Sequence, residues 1–405
     1  MIGARLTQVK TGMRSAPDHV CTAPTPSLPM QPQPTALVSG AGVAGLATAW
    51  WLRYFGFDVT VVETAPALRG GGHAVDIRGA ALEVVKAMGL HAALQAQRTR
   101  LRGMTLLDRD GHAVGHDDTR TFSAGRLDSP DIEIFRDTLC RIVSDAAGTP
   151  ASTLFDERIT GIDDTPSGVM VALAGRPSRR VDLVVGADGV YSALRQQAFA
   201  AAPTCLHPLG GALAFYSAPN HLALTDREWM YRDADLGVVV YPDASGRELR
   251  IGAGFGAEVD HALRHDITAQ KALARSKLAG LGGRWRPLVE AIPHADAFYF
   301  GELVQVKLPV WHTGRVVLVG DAAHCASPFS GQGTSLALVG AYVLARELSR
   351  SPHAPGQAFA RYQTRMQPYV DLNQRLVDLT RQGPVPEPQM RAAANGIALD
   401  DLQQP

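Results

Sequence analysis

The sequence lacks the features that mark several classes of protein. Its four cysteines, Cys21, Cys140, Cys205 and Cys325, contain no CxxC pair, which argues against a disulfide scaffold or a structural zinc site. No run of about 18 apolar residues occurs, so no membrane-spanning helix is predicted. Lysine plus arginine and aspartate plus glutamate both total 39, so the basic excess of a nucleic-acid or anionic-membrane binder is missing. These absences predict a soluble, cytoplasmic protein with reduced thiols.

The composition is that of a globular protein with a substantial core. Of its 405 residues, 46% are hydrophobic and 19% are charged, which suggests two or three domains. Residues 1–34 differ, since they carry six prolines and only scattered apolar residues. A secretory signal would need an apolar run of about 7–15 residues in this segment, and the segment has none. We therefore predict a flexible tail without a part in the chemistry.

The pattern of apolar runs predicts an α/β fold. A buried strand at 35–40, an apolar helix at 43–55 and a strand at 57–62 form a β-α-β unit, which implies a parallel sheet. The stretch 205–306 instead consists mainly of strand-like segments, and 315–319 and 333–349 return to a strand followed by a helix. The predicted architecture is a Rossmann-like parallel sheet interleaved with a mostly antiparallel substrate domain and followed by a helical C-terminus.

The predicted segments follow from these changes of character along the chain. They are the tail (1–34), three parts of the nucleotide-binding domain (35–103, 131–204 and 307–350), two parts of the substrate domain (104–130 and 205–306) and the C-terminal helices (351–405).

A glycine motif joins the first strand to the first helix. It is a GxGxxG sequence, Gly40-Ala-Gly42-Val43-Ala44-Gly45. Gly40 permits a tight turn, Gly42 allows close approach of a pyrophosphate, and Gly45 allows close helix–sheet packing. The helix N-terminus adds free N–H groups and partial positive charge. The alternative, a purely structural turn, is disfavoured by the β-α-β context.

An acidic residue at the end of the second strand fits the same site. Glu63 would accept hydrogen bonds from the hydroxyls of an adenosine ribose. A carboxylate in that place disfavours a ribose 2′-phosphate. The tightly held cofactor is therefore predicted to be FAD or NAD rather than NADP.

A second motif follows the buried strand at 184–187. Asp188-Gly189 stands at the carboxyl end of that strand, with Ser192 and Arg195 beyond it. Ligands of parallel sheets bind at such strand ends. Taken alone, the motif is better explained as an ordinary Asp-Gly turn with a capping serine.

A third motif favours FAD over NAD. Gly320-Asp321 leaves the last parallel strand, and the Asp321 carboxylate can bond the hydroxyls of a ribityl chain, which only a flavin has. The loop Gly331-Gln332-Gly333 opens a long helix whose N-terminus can face the pyrimidine edge of a flavin. A helix N-terminus stabilises the anion of reduced flavin by up to about 2 kcal/mol. His324 is interpreted as a packed or capping side chain.

In this order and spacing the three motifs resemble the class A flavoprotein monooxygenases of the p-hydroxybenzoate hydroxylase type. The segment Arg69–Gly79 is similar to that of the tetracycline-inactivating and polyketide-tailoring hydroxylases, and the resemblance extends over residues 35–380. It implies that Arg136 contacts the flavin and that Asp188 lies near the pyrophosphate. One departure is Ser335, where many members have asparagine.

The resemblance also implies a reaction. NAD(P)H reduces FAD, O2 adds to the flavin, and a C4a-hydroperoxide transfers one oxygen atom to an aromatic or polyketide-like molecule. The chemistry is flavin-centred, so neither a catalytic side chain nor a metal is expected. Asp76 is assigned to the cofactor site, and Pro328 is expected near the flavin ring.

NAD(P)H is expected to bind only transiently. A second glycine motif begins at Gly252-Ala-Gly254, but neither an apolar helix nor a suitably placed acid follows it. We interpret it as a glycine-rich strand end beside the flavin. No nucleic-acid or membrane partner is expected, and the chain is predicted to be a monomer or a weak homodimer.

Candidate substrate contacts come from the aromatic residues of the predicted antiparallel sheet. Arg250 joins them because it interrupts an apolar pattern. The candidates are Phe215, Tyr216, Tyr231, Tyr241 and Arg250.

Three alternatives remain. The scaffold could serve an FAD-dependent oxidase or reductase without oxygen insertion. A flavin halogenase is disfavoured because the sequence after Trp285 does not supply a W-x-W-x-I-P motif. A flavin-fold binding module without catalysis is disfavoured by three intact nucleotide-contact motifs.

Overall fold

A computed structural model describes residues 33–123, 125–199, 204–380 and 385–402. The predicted proline-rich tail falls almost entirely on residues 1–32 and so lies outside the described residues. Strands and helices are numbered along the chain.

A six-stranded sheet forms the first layer. It is parallel except for one antiparallel pair, β19–β20, at its edge. In spatial order its strands are β19 (His312–Thr313), β20 (Val316–Leu318), β13 (Leu183–Gly186), β1 (Thr35–Ser39), β2 (Asp58–Val62) and β9 (Thr153–Leu154). The central strands are continuous apolar runs because both of their faces are buried.

Helices cover this sheet and complete its core. Helix α1 (Val43–Tyr54) packs against α4 (Arg136–Ala146) and α10 (Gly333–Arg350), and α10 also packs against α2 (Ala80–Ala87) and α11 (Pro355–Gln374). Helix α10 buries most of its length, in keeping with its apolar sequence. In this way the carboxyl ends of β1, β13 and β20 are held beside the first turns of α1 and α10.

A seven-stranded sheet forms the second layer. Its pairs are antiparallel except β15–β4. In spatial order its strands are β18 (Phe298–Val306), β14 (Leu206–Pro219), β17 (Glu248–Gly256), β16 (Leu236–Pro242), β15 (Glu228–Arg232), β4 (Met104–Leu107) and β5 (Ala113–Asp117).

Strand alternation divides the side chains of the second sheet between two faces. Tyr216, Leu249 and Ile251 point into a separate apolar core that includes Trp285 and Leu288. Residues one position away point to the opposite face. That core is completed by α6 (His261–His265), α7 (Ile267–Leu278) and α8 (Arg286–Ala291).

Smaller strands and helices complete the structure. The remaining strands are β3 (Ala74–Ile77) paired with β8 (Ile132–Phe135), β6 (Arg120–Thr121) paired with β7 (Gly125–Arg126), and the three-stranded sheet β10 (Ile159–Thr165), β11 (Gly168–Leu173) and β12 (Arg179–Val181). The remaining helices are α3 (His91–Ala96), α5 (Ala193–Ala198), α9 (Asp321–His324) and α12 (Glu387–Ala394).

The predicted fold class is confirmed: a parallel sheet is interleaved with a mostly antiparallel one, and helices follow. The predicted domain boundaries themselves stay a prediction. Gly252 and Gly254 lie within β17 rather than at a strand end, and they are paired on both sides. Across the described ranges, no helix combines the length and the apolar character needed to cross a bilayer.

Candidate active site

The glycine motif forms a tight loop between β1 and α1. Gly40 has a φ of +103°, and a Cβ there would lie 2.5 Å from the carbonyl oxygen of Ala187. A Cβ on Gly45 would lie 1.9 Å from the carbonyl oxygen of Gly40. These two glycines are therefore required by the protein fold itself. Gly42 differs, because its backbone is extended and a Cβ would meet only the Arg136 guanidinium, at 3.3 Å.

The first turn of α1 is left uncapped. Gly42 occupies the N-cap position, no side chain caps the helix, and its first turn contains no acidic residue. The first intrahelical bond runs from the N–H of Leu46 to the carbonyl of Gly42, so the N–H groups of Val43, Ala44 and Gly45 have no acceptor within the helix. Such a helix end attracts an anion.

Glu63 is fixed beside this loop. Its carboxylate accepts hydrogen bonds from the N–H of Ala41 (2.9 Å) and the N–H of Ala65 (2.9 Å). Arg69 lies 3.6 Å from the same carboxylate. Because Ala41 lies inside the glycine motif, the Glu63 side chain is held next to the N-terminus of α1 with further acceptor capacity available.

Arg136 brings a cation to the same place. It is the first residue of α4, and its backbone N–H donates to the carbonyl of His73 (3.0 Å). Within the described ranges its guanidinium makes no hydrogen bond or ion pair, although it lies beside Gly42. An unpaired cation next to an uncapped helix end favours an anionic ligand.

The Asp188 side chain is used locally. Its carboxylate accepts hydrogen bonds from the hydroxyl of Ser192 and the N–H of Leu194 (3.1 Å), and Ser192 caps α5. Burial raises the pKa of Asp188. The Asp188 backbone nevertheless touches the glycine loop, since a Cβ on Gly40 would lie 3.1 Å from its Cα. The motif thus combines a capped turn with a position beside the candidate phosphate site.

Asp321 lies where the two layers approach each other, because its charge acts on Tyr299 of β18, and we call the solvent-exposed space beside its side chain the cleft. Asp321 is exposed to solvent. The many protein atoms around it nevertheless desolvate its carboxyl group and raise the pKa of that group. The nearby Cys325 thiol and Arg136 charge act in the opposite direction. Gly320 has a φ of +62°, and a Cβ there would lie 2.7 Å from the Cβ of Ala44. Asp321 therefore lies close to the first turn of α1.

A second helix N-terminus borders the cleft. Gln332 caps α10 without a side-chain hydrogen bond to it; its Nε2 lies 2.9 Å from Sδ of Met390, and its buried Oε1 has no partner in the described part of the chain. Pro328 is exposed just before this turn, and Gly331 and Gly333 flank Gln332. Ser335 accepts a hydrogen bond from the N–H of Arg78 (3.0 Å), which gives this departure from the resembled pattern a local role.

Comparison with known proteins agrees with this arrangement. The profile of the FAD-binding-domain family matches residues 33–376. An uncharacterized protein of Mycobacterium tuberculosis is 39% identical over 373 residues, covering 91% of this chain and 99% of that protein. A flavin-dependent monooxygenase of Legionella longbeachae is 34% identical over 342 residues, covering 84% of this chain and 86% of that enzyme.

A solved structure gives the same result. The crystal structure of the tetracycline destructase Tet(55) has a TM-score of 0.80 and 32% identity, covering 91% of this chain and 99% of that chain. The chain is a class A flavin-dependent monooxygenase. The monooxygenase belongs to a family of FAD-binding proteins, and the cleft between its sheets contains the glycine loop and Asp321.

Three of the five predicted substrate contacts lie on the face of the seven-stranded sheet turned toward this cleft; Phe215 and Arg250 are half-buried there, whereas Tyr241 is buried. The Phe215 ring stacks on His73, with centroids 4.1 Å apart. The Tyr241 hydroxyl accepts a hydrogen bond from the N–H of Ala74 (2.9 Å). Arg250 donates to the hydroxyl of Ser217 (2.7 Å), and its buried Nε has no partner among the described residues.

The other two predicted contacts, Tyr216 and Tyr231, lie on the opposite face of the seven-stranded sheet. Tyr216 lies on the opposite face of β14, where its hydroxyl donates to the carbonyl of Leu288 (3.2 Å). Tyr231 also points into that second core, with its ring edge-on to Trp285 and its hydroxyl donating to Asp233 (2.6 Å). Both aromatics are covered by helices, so they cannot contact a ligand in the cleft.

Two residues beside the cleft, Tyr299 and His73, were not predicted as site residues from the sequence. Tyr299 is 50% exposed and close enough to Asp321 and Arg136 for their charges to act on its phenol, whose pKa is raised mainly by burial. His73 immediately precedes β3 and stacks on Phe215. An aromatic run around Tyr299 and a glycine run before His73 were the available signals, but neither identifies a contact partner more than 20 positions away.

Asp76 is part of a buried acidic cluster near the cleft. Its carboxylate pairs with Arg78 (2.7 Å), yet burial raises its pKa, and the negative charge of Glu133 adds to the effect. Glu228 belongs to the same cluster and accepts hydrogen bonds from the N–H of Phe122 (2.6 Å) and from the N–H and hydroxyl of Ser123 (3.2 and 2.6 Å). Within the described residues no group of side chains could hold a metal ion.

The Glu228 side chain should make stability depend on pH. Burial raises its pKa from 4.5 to about 7, despite the opposing hydrogen bonds. Between these values the folded state binds a proton that the unfolded chain lacks. Protonated Glu228 therefore makes a stabilising contribution to the free energy of unfolding that is fully present below pH 4.5. This contribution is lost as the pH rises through about 7. The slope is at most about 1.4 kcal/mol per pH unit.

Glu228→Gln should remove this contribution. We expect the urea midpoint of the variant to rise relative to that of the wild type between pH 5 and pH 8. Glu83→Gln is the control, because Glu83 is exposed and forms an exposed ion pair with Lys86. Parallel pH profiles for the wild type and Glu228→Gln would contradict the assignment.

Proposed function

We propose that the monooxygenase uses NAD(P)H and O2 to insert one oxygen atom into an aromatic or polyketide-like small molecule. The observation that carries this proposal is the position of the cleft. One wall holds polar groups suited to FAD, and the facing wall of the seven-stranded sheet holds Phe215 and Arg250, with Tyr241 buried beside Arg250. A flat apolar molecule with polar substituents suits such a wall.

The residues of the first wall fit FAD. The absent Cβ of Gly42 leaves room beside the first three N–H groups of α1, which have no acceptor within the helix, and a pyrophosphate would bind there. Arg136 would complete the neutralisation of its charge. Glu63 would accept hydrogen bonds from the ribose, and Asp321 would accept them from the ribityl chain. FAD bound in this way supplies the electron transfer and the oxygen chemistry.

The remaining groups would tune and shield the reaction. The N-terminus of α10, between Gly331 and Gly333, would face the pyrimidine edge of the flavin and stabilise negative charge there by up to about 2 kcal/mol. Pro328 and Tyr299 would border the ring and exclude water. Asp76 and Arg78 lie beside the same turn, since a Cβ on Gly331 would be 3.6 Å from Arg78.

The substrate class is inferred from the second wall and from relatives. Tet(55) is described as a tetracycline destructase, and a polycyclic ligand of that kind offers both flat rings and hydroxyl groups. Arg250 would bind a carbonyl or hydroxylate oxygen through its partly exposed guanidinium. NAD(P)H would bind transiently, because the glycines of β17 form paired strand rather than a second nucleotide loop.

The test is isotopic. The FAD-loaded enzyme is incubated with NADH or NADPH under 18O2, with a panel of phenols and polycyclic aromatic polyketides that includes tetracycline. We expect at least one compound to stimulate NAD(P)H consumption and to yield a product that contains one 18O atom. Consumption with H2O2 release and an unlabelled, dehydrogenated product would instead establish an oxidase, and the proposal would fail.

A further inference from the structure

His73 is held in the cleft by its own backbone. Its carbonyl accepts a hydrogen bond from the N–H of Arg136 (3.0 Å), and the next N–H, that of Ala74, donates to the hydroxyl of Tyr241 (2.9 Å). The preceding loop is fixed as well, because the N–H of Gly71 donates to the carboxylate of Asp137 (3.0 Å). Bonds to both layers thus set the position from which the imidazole extends.

The imidazole itself is placed but not hydrogen-bonded. It stacks almost parallel on Phe215, with an interplanar angle of 14° and centroids 4.1 Å apart. Among the described residues neither ring nitrogen has a hydrogen-bond partner. Neither nitrogen is fully buried, so both can be reached from the cleft. The ring nitrogens are therefore polar groups that border the cleft and have no partner in the protein.

The charge state of the ring decides what it can bind. Burial, with the positive charge of Arg136 second and the opposing charge of Asp137 third, lowers the pKa of His73 to about 4. The ring is therefore neutral near pH 7, with one nitrogen as a donor and the other as an acceptor. A neutral acceptor that stacks on the Phe215 ring matches a hydroxyl group carried on an aromatic ring.

We propose that His73 is a substrate-specificity residue, which accepts a hydrogen bond from a ring hydroxyl while the substrate ring lies against the face of the seven-stranded sheet that carries Phe215. This proposal rests on the proposed function, since it requires an aromatic ligand in the cleft. It narrows the substrate class to phenols and enols, as opposed to aromatic ethers and hydrocarbons. The enzyme would bind a phenol more tightly than the corresponding ether, because the ether would leave the acceptor nitrogen of His73 desolvated and without a hydrogen bond.

The test compares two ligands that differ in the donor alone. Oxidised, FAD-loaded enzyme without reductant is titrated with 2-naphthol and with 2-methoxynaphthalene, and dissociation constants are read from the change in flavin absorbance. The wild type should bind the naphthol about tenfold more tightly than the ether. His73→Phe keeps an aromatic ring on Phe215 but removes the acceptor, so the two constants should come within about twofold of each other.

Two further variants separate this role from a packing role. His73→Gln retains an acceptor and should retain most of the preference for the naphthol. Tyr216→Phe removes a hydroxyl one residue from Phe215 on the opposite face, and it should leave the preference unchanged. If His73→Phe kept the full preference, or if the wild type showed none, including the case in which it bound neither compound, the proposal would be overturned.

The outcome is independent of oxygen transfer. Equilibrium titration needs neither NAD(P)H nor O2, so a preference that depends on His73 would stand even if the 18O experiment gave an unlabelled product. Conversely, labelled product from an enzyme without this preference would support the monooxygenase reaction and refute the role of His73.

Discussion

Gly42→Val should yield a folded protein that no longer binds FAD. The Gly42 backbone is extended, with φ −82° and ψ −176°, a conformation that valine adopts without strain. Within the described residues, an added Cβ would have one neighbour within 4 Å, the end of the flexible Arg136 side chain at 3.3 Å. The protein fold therefore tolerates the substitution, and the cost falls on the ligand, because the branched side chain would occupy the space of the pyrophosphate.

The expected effect is large. A group that intrudes on a well-packed contact costs about 1–3 kcal/mol, and the lost bonds to the N–H groups of α1 add to this. We expect the dissociation constant of FAD to rise at least about 100-fold, so that the variant is purified colourless. Apoprotein titrated with FAD, followed by flavin fluorescence, measures it, and far-ultraviolet circular dichroism checks the fold.

A matched substitution controls for the loss of a glycine. Gly356 is exposed in α11, and nothing lies within 4 Å of an added Cβ. Gly356→Val should keep wild-type affinity. Gly40 and Gly45 are poor test sites by comparison, because a Cβ at either would collide with backbone and damage the loop itself. Wild-type flavin content in Gly42→Val would remove the glycine loop from the cofactor site.

The features that the sequence could predict are those encoded by residues close together in the chain. Continuous apolar runs such as 183–186 and 316–318 identify buried parallel strands without knowledge of their neighbours, because both faces of such strands are covered. The glycine motif is equally local, since its spacing, its strand and its helix are contiguous in the chain. These features depend on nearby residues, and the α/β fold follows from them.

The faces of the antiparallel sheet could not be assigned in this way. Phe215 and Tyr216 are adjacent aromatics, so alternation places one in the cleft and the other in the second core without saying which. The choice is made by α7 and α8, which cover one face and come more than 50 residues later in the chain. For Tyr231 the deciding partner is Trp285. Distant packing, which no local pattern records, separates ligand contacts from core.

Asp321→Ala should weaken FAD binding by removing an acceptor from the cleft. A hydrogen bond to a charged group contributes about 1.5–3 kcal/mol, so loss of one bond to the ribityl chain predicts a weakening of about tenfold to 100-fold. One effect opposes this. The Asp321 charge partly offsets that of Arg136, so its removal leaves the cleft more positive and more attractive to the pyrophosphate.

The hydrogen bond should dominate. Asp321 and Arg136 are not in ion-pair contact, and two solvent-exposed charges that are not in contact interact by about 1 kcal/mol or less.

Asp321→Asn provides the decisive comparison, since it loses the charge but keeps an acceptor. We expect Asn to bind FAD more tightly than Ala, and Asp296→Ala, at an exposed position near β18, to match the wild type. The measurement is FAD titration of each apoprotein at two salt concentrations. Equal affinities for Ala and Asn would show that charge alone acts, and wild-type affinity in both would exclude Asp321 from the cofactor site.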